Sequence, residues 1–307
     1  MYKIMTIHQP VLLNEVIQYF NPQSNQNFID CTIGGGGHAF QILSLTNPEG
    51  KLMGIDWSKE AIEELKEESQ KLKINNRLIL VNDNFINLKK IVKEKKFYPL
   101  HGILFDLGLS SDLLEKSGRG FSFQKDEILD MRLNPEKQIL TAEKILNQAS
   151  EKNLIDIFKN FGEERFAKLI TKKIIWFRKK EKIQSTFQLV NLIKIALGRK
   201  FQKKSLSRIF QALRIAVNNE LKNLEQVLPQ AVEILETGGR LIIISYHSLE
   251  DRIVKNFFKN NLQLKILTKK PIRPSQEEIR NNPRARSAKL RAAEKIINNQ
   301  FAPLDIF

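Results

Sequence analysis

The run Asn27-Phe28-Ile29-Asp30-Cys31-Thr32-Ile33-Gly34-Gly35-Gly36-Gly37-His38-Ala39 decides the fold. Its first half is short, apolar and partly β-branched, which reads as a buried strand from Asn27 to Ile33. The four glycines then permit a tight turn into a helix, whose first amides lie open to a ligand approaching closer than side chains would allow. Working outward, Lys51 to Asp56, Arg77 to Asn82 and His101 to Leu107 are three further apolar runs of strand length. Between the second and third strands, Ser58 to Lys73 places Ala61, Ile62, Leu65 and Leu72 on one helical face behind an N-cap serine. Strands alternating with amphipathic helices are the pattern of a parallel α/β sheet.

A fifth strand, Arg240 to Tyr246, follows a helix stopped by Gly238-Gly239. Leu264 to Leu267 and Ala288 to Ile296 are candidates for the last strands, separated by a Pro- and Arg-rich loop. About 130 residues lie between the fourth and fifth strands, too many for one crossover, and from Thr141 to Gly198 they read as successive helices. The expected architecture is therefore a sheet domain formed by residues 1–112 and 212–307, interrupted by an inserted helical domain at 113–211. Residues 117–135, with Gly118, Gly120 and Pro135, lead into the insertion as an ordered loop.

The chain has 307 residues, which suits two domains. Its single cysteine, Cys31, excludes an internal disulfide, and no apolar run is long enough to span a bilayer. Residues 1–15 show no secretory signal, so a reducing cytoplasm is the expected setting. Fifty Lys and Arg against 34 Asp and Glu give a formal charge of +16, which favours polyanionic partners. Part of that excess follows from a composition rich in Lys, Asn and Ile. Its distribution says more: from Arg165 to Arg214 fifteen basic residues face one acid, Glu181, a net +14.

Asp56 closes the second strand 22 residues after Gly34, where a carboxylate can accept hydrogen bonds from ribose hydroxyls. Gly34, Gly36 and Ala39 also satisfy the dinucleotide pattern G-x-G-x-x-A, so a nicotinamide cofactor stays open, although no Tyr-x-x-x-Lys pair accompanies it. Asp106-Leu107-Gly108 ends the fourth strand. In an open α/β sheet the ligand crevice lies beyond the carboxyl ends of the strands, so Asp30, Gly36, Asp56 and Asp106 should converge there. Such a group of acids favours an adenosine-bearing ligand with amine and sulfonium charge, S-adenosylmethionine.

Eight motifs carry a resemblance. The runs His8 to Leu13, Asp30 to His38 and Asp106 to Ser111 are similar to those of the bacterial ribosomal RNA small subunit methyltransferase H family. So are Arg119 to Phe123, Leu129 to Arg132, Gly162 to Phe166, Tyr246 to Arg252 and Asn282 to Ser287. The match runs nearly end to end. It implies a class I methyltransferase with a helical insertion that transfers methyl from S-adenosylmethionine to N4 of a cytosine in the decoding region of 16S ribosomal RNA. The family's cofactor contacts fall on Gly36, Gly37 and His38, on Asp56 for the ribose, on Phe85 beside the adenine and on Asp106 near the methionine part. One departure stands out: Asp112-Leu113 replaces the usual Pro-Gln, and Leu113 cannot donate a side-chain hydrogen bond.

An exocyclic cytosine amine is a poor nucleophile because its lone pair is delocalised into the ring, so acceptors must take its N–H hydrogens beside the methyl donor. Asp106 is expected to position the amine and His247 to take the proton, unless His247 instead hydrogen-bonds Glu250 or Asp251 to stiffen its loop. Methylation at C5 would need an attacking thiolate. Cys31 sits in the cofactor loop and reads as an apolar filler. His8 and His101 lack ligand partners at metal spacing, so no metal site is expected.

For RNA, the +14 segment should supply phosphate contacts, with Arg284, Arg286, Lys289 and Arg291 as a second basic edge. At least half of Lys172, Lys173, Lys179 and Lys180 would simply face water. Phe121 and Phe123 are candidates to stack on an extruded base or to anchor their loop. A nicotinamide-dependent oxidoreductase and a ribosome-assembly factor without turnover remain as the alternatives.

Overall fold

The computed structural model describes residues 10–109 and 111–297; of the quoted motifs, His8, Gln9 and Ser110 lie outside them. In chain order come α1 (Leu13–Phe20), β1 (Phe28–Asp30), α2 (Gly37–Leu45), β2 (Leu52–Asp56), α3 (Lys59–Lys71), β3 (Leu78–Asn82), α4 (Leu88–Lys95) and β4 (Gly102–Asp106). Six helices follow: α5 (Ser111–Glu115), α6 (Ala142–Gln148), α7 (Glu151–Asn160), α8 (Ala167–Arg178), α9 (Thr186–Leu197) and α10 (Lys203–Asn218). The chain ends with α11 (Glu220–Ile234), β5 (Arg240–Ser245), α12 (Ser248–Asn260), β6 (Leu264–Ile266), α13 (Gln276–Asn281) and β7 (Lys289–Lys295). Two compact units result, Met1–Gly108 with Asn223–Phe307, and Leu109–Lys222, where the sequence pattern places the insertion at 113–211.

The first unit holds one sheet in the order β3-β2-β1-β4-β5-β7-β6. β1 to β5 pair in parallel, while β7 runs antiparallel between β5 and β6. Alternate side chains enter opposite layers, so each central strand must be apolar throughout. Phe28, Leu52, Leu104 and Ile242 pack with α1, α2 and α3 on one face. Ile29, Met53, Ile103 and Leu241 pack with α4, α11 and α12 on the other.

β1 is shorter than its apolar run because Asp30 Oδ1 accepts the Thr32 amide at 3.1 Å and turns the chain. The turn stays anchored to both neighbouring strands, Cys31 N donating to Leu104 O at 2.9 Å and Ile33 N to Ile55 O at 3.0 Å. Ile33 then packs over Gly54, where an added Cβ would stand 2.1 Å from Ile33 Cδ1.

The second unit has its own apolar core, built by Leu146, Phe158, Ile170, Ile174, Leu189, Ile193, Ile209 and Leu213. Residues of α10 belong to this core, which is why the unit extends past 211. Within it Leu113 packs against that apolar cluster. Arg178 Nη1 donates to the Leu146 and Ala149 carbonyls at 2.9 and 2.7 Å, satisfying orphan groups at the end of α6. Among the described residues no helix is long and apolar enough to cross a membrane.

Gly54→Ala should destabilise the protein by about 1–3 kcal/mol, because an extra methyl in a packed site forces its neighbours off their minima. Denaturant unfolding checks this; an unchanged midpoint would mean that the turn above β2 yields freely.

Candidate active site

Gly36 is the N-cap of α2 at φ 77°, a left-handed conformation that glycine adopts without strain. A Cβ here would stand 2.7 Å from Leu65 Cδ2, and one on Gly37 3.0 Å from Pro10 Cγ, so the loop's inner side is closely packed. Gly35 points the other way, with nothing within 4 Å of where its Cβ would be. No side chain caps the first turn of α2, which leaves its amides to an acceptor from outside. His38 is buried, and its Nε2 donates to Val11 O at 2.9 Å. That bond turns Nδ1 toward Asp106 Oδ2, 3.9 Å away.

Three carboxylates meet at the carboxyl ends of β1, β2 and β4. Asp56 uses one oxygen for Gly34 N at 3.0 Å and the other for Ser58 N at 2.8 Å. It thereby fixes the glycine loop and the start of α3 together. The Trp57 amide also donates to this carboxylate, which leaves one lone pair for a ribose hydroxyl. Asp106 N donates to Thr32 Oγ1 at 2.7 Å, and the hydroxyl lies 3.4 Å from Asp30 Oδ1, which couples the ends of β1 and β4. Tyr246 Oη donates to Asp106 Oδ1 at 2.8 Å.

Burial raises the pKa of all three acids. Asp30 rises to about 7, mainly by desolvation, with the Thr32 amide opposing and the charges of Asp106 and Asp56 adding to the rise. Desolvation lifts Asp56 against the amides of Ser58 and Gly34. It also lifts Asp106, against the pull of His38 and the Tyr246 hydroxyl. The Tyr246 phenol is pushed well up by burial and by the Asp106 charge, so it stays protonated and serves as a donor.

The sequence-expected residues fall into two sets. Gly36, Gly37, His38, Asp56 and Asp106 come together around the β1–α2 turn. Phe85 follows β3 and packs edge-on against Phe105, the residue before Asp106, with ring centres 5.7 Å apart; it remains partly exposed. His247 has a different setting. It is the N-cap of α12, its Nδ1 accepting from Glu250 N at 3.3 Å and its Nε2 lying 3.0 Å from Glu250 Oε1. Glu250 Oε2 in turn accepts the His247 amide at 3.3 Å, closing a capping box, and also accepts the Tyr246 amide at 2.8 Å.

Tyr246 is the partner the sequence did not single out, although it stands beside His247 in a recognised run. Cys31 is buried in the sheet core and its thiol is pushed well up by desolvation. His101 accepts the Asn27 amide on Nδ1 at 3.1 Å, a structural role. The expected second basic edge loses half its members. Lys289 and Arg291 bind Asp251 at 3.1 and 2.7 Å, and although burial opposes it, these bonds hold the Asp251 carboxyl below its usual range.

A family model described as the MraW methylase family matches residues 5–296. A protein of Thermosipho melanesiensis named "Ribosomal RNA small subunit methyltransferase H" is 46% identical over 293 residues, covering 94% of this chain and 98% of its own. Proteins of the same name are 45% identical in Dictyoglomus thermophilum, covering 97% of this chain, and 42% identical in Halothermothrix orenii, covering 96%. Both are covered over 100% of their own length.

The raised pKa of Asp30 has a consequence for stability. Between the ordinary carboxylate value of about 4 and about 7, the folded chain holds a proton there that the unfolded chain has lost. This contribution is complete below the lower value and disappears as pH rises through the upper one. Melting of the ligand-free protein from pH 5 to 8 should therefore show falling stability, and Asp30→Asn should flatten the fall; an equally steep profile in the variant would contradict the assignment.

Proposed function

The chain belongs to the MraW methylase family, and from that premise we propose that it methylates the N4 amine of one cytosine in the decoding region of 16S ribosomal RNA. Membership makes it an S-adenosylmethionine-dependent ribosomal RNA methyltransferase. The nicotinamide and assembly-factor alternatives fall with it. The observation that carries the finer reading is the meeting of Asp30, Asp56 and Asp106 with His38 and Tyr246 beside an uncapped glycine turn.

These residues suit S-adenosylmethionine in their chemistry. Burying three carboxylates beside a single imidazole is costly without a cation to answer them. Asp56 keeps a lone pair for a ribose beyond its three backbone amides, Gly34 and Gly35 allow close approach, and Phe85 offers an aromatic edge to a purine. When bound, S-adenosylmethionine supplies an electrophilic methyl on a cationic sulfur.

The remaining work falls to the chain. Asp106 is held at Oδ1 by the Tyr246 hydroxyl, which leaves Oδ2 to accept an N–H of the cytosine amine and to localise its lone pair toward the methyl. In this reading Asp106 also receives the departing proton, for which its raised pKa suits it. His247 is a positioning residue: its ring and Glu250 fix the turn that carries Tyr246. The buried, protonated state of Cys31 speaks for the amine over ring carbon C5, which needs a thiolate. The setting follows from the substrate, which places the enzyme in the cytoplasm.

Nucleoside mass spectrometry of small subunits treated with the enzyme and S-adenosylmethionine tests this. N4-methylcytidine is expected at one mapped position, and 5-methylcytidine would overturn the reading. Asp106→Asn should lower kcat about 10²-fold or more and, because it removes one of the charges that answer the cationic cofactor, weaken cofactor binding as well. Asp56→Ala should weaken cofactor binding and leave RNA affinity near wild type, as calorimetry and filter binding would report.

A further inference from the structure

The second unit carries a cleft of about 440 Å³ lined by Phe123, Phe187, Phe201, Asn191, Lys194 and Lys203, among others. Phe187, Val190, Asn191 and Lys194 occupy positions i, i+3, i+4 and i+7 of α9, so one helix face forms a wall. The start of that helix is rigid, because Ser185 and Gln188 close a capping box. Phe187 is nevertheless 43% exposed, an uncommon state for a large aromatic residue. Phe123 is held edge-on by Phe210 at 5.5 Å, while Phe121, its neighbour in the sequence reading, is buried as an anchor.

The cleft's charge is one-sided. Its lining holds two lysines and no acid, and Gln124 and Asn191 add amide groups able to donate and accept. Asp126, the nearby carboxylate, accepts the Phe187 amide at 3.1 Å. The basic character continues along the chain, where Arg165 and Lys200 both lie over the Phe166 ring, at 4.7 and 6.0 Å. Aromatic faces, amides and rim lysines together are what a splayed-out nucleotide requires: stacking for the base, hydrogen bonds for its edge and cations for its phosphate.

We propose that this cleft binds an unpaired nucleotide of the RNA substrate, separate from the cytosine that is methylated, with its base against Phe187 and its phosphate between Lys194 and Lys203. The proposal rests on the ribosomal RNA reading above and adds a second point of grip on the strand. It makes the +14 segment heterogeneous. Arg178 and Arg214 serve the fold, the latter bound to Glu220 at 2.8 Å, whereas Lys194 and Lys203 serve the ligand.

The test compares wild type, Phe187→Ala and the double variant Lys194→Gln with Lys203→Gln on small subunits lacking the modification. Phe187→Ala should raise KM for the subunit about 5- to 150-fold, the range of one lost base–aromatic stack, with kcat and cofactor affinity near wild type. The double lysine variant should reduce the salt dependence of RNA binding by a log–log slope of about 0.7, one single-strand phosphate contact. Ultraviolet cross-linking of wild type to its RNA should label the peptide carrying Phe187. Unchanged KM in a folded Phe187→Ala protein, an unchanged slope, or cross-links only to ribosomal protein would overturn the proposal. If wild type itself transfers no methyl to ribosomal RNA, the parent reading fails instead.

Discussion

Placing Asp30, Asp56 and Asp106 at adjacent strand ends is the constraint on which the first unit is organised. Like charges in a poorly solvated crevice repel, and each must be offset by fixed dipoles or a counter-charge. The chain supplies amides from Gly34, Ser58 and Thr32, the Tyr246 hydroxyl and the His38 imidazole. Those groups set where the β1–α2 turn, the start of α3 and the end of β5 must lie. What remains unbalanced is negative charge, and a cofactor with ammonium and sulfonium groups answers it.

The sheet makes this arrangement possible without strain in the strands. β1, β2 and β4 are adjacent and parallel, so their last residues fall on one edge, and each ends in an aspartate. Strand register does the positioning: Asp30 lies opposite Gly54 and Leu104, two residues short of Asp56 and Asp106. Asp30 is therefore set deeper than the other two acids, consistent with its burial where they are partly exposed.

Much of this was legible in the sequence, for identifiable reasons. Strands buried on both faces are continuous apolar runs, so their existence could be read, as could the glycine turn between Ile33 and Ala39. Ends were harder. β1 stops at Asp30 because a side chain captures the Thr32 amide, a local event that apolar patterning does not encode. Tyr246 and Asp106 are 140 residues apart, and only the β4–β5 pairing brings them together. His247 could have been read more fully: a polar residue followed three positions later by Glu250 is a capping-box pattern, and the ring's Nδ1 is spent there. Lys289 and Arg291 looked like free cations because nothing in the local sequence announces Asp251 across the fold. The helix face carrying Phe187, Asn191 and Lys194 follows from helical spacing, but the cleft it walls depends on how α10 and the 123–124 loop fall.

The coupling between the secluded acids and a cationic cofactor can be measured as protons. Calorimetric titration of S-adenosylmethionine at pH 7, in buffers of different ionisation enthalpy, counts the protons released on binding. With the Asp30 pKa at about 7 before binding, wild type should release roughly half a proton more than Asp30→Asn. Equal proton release by the two proteins would show that the cofactor's charge is answered elsewhere.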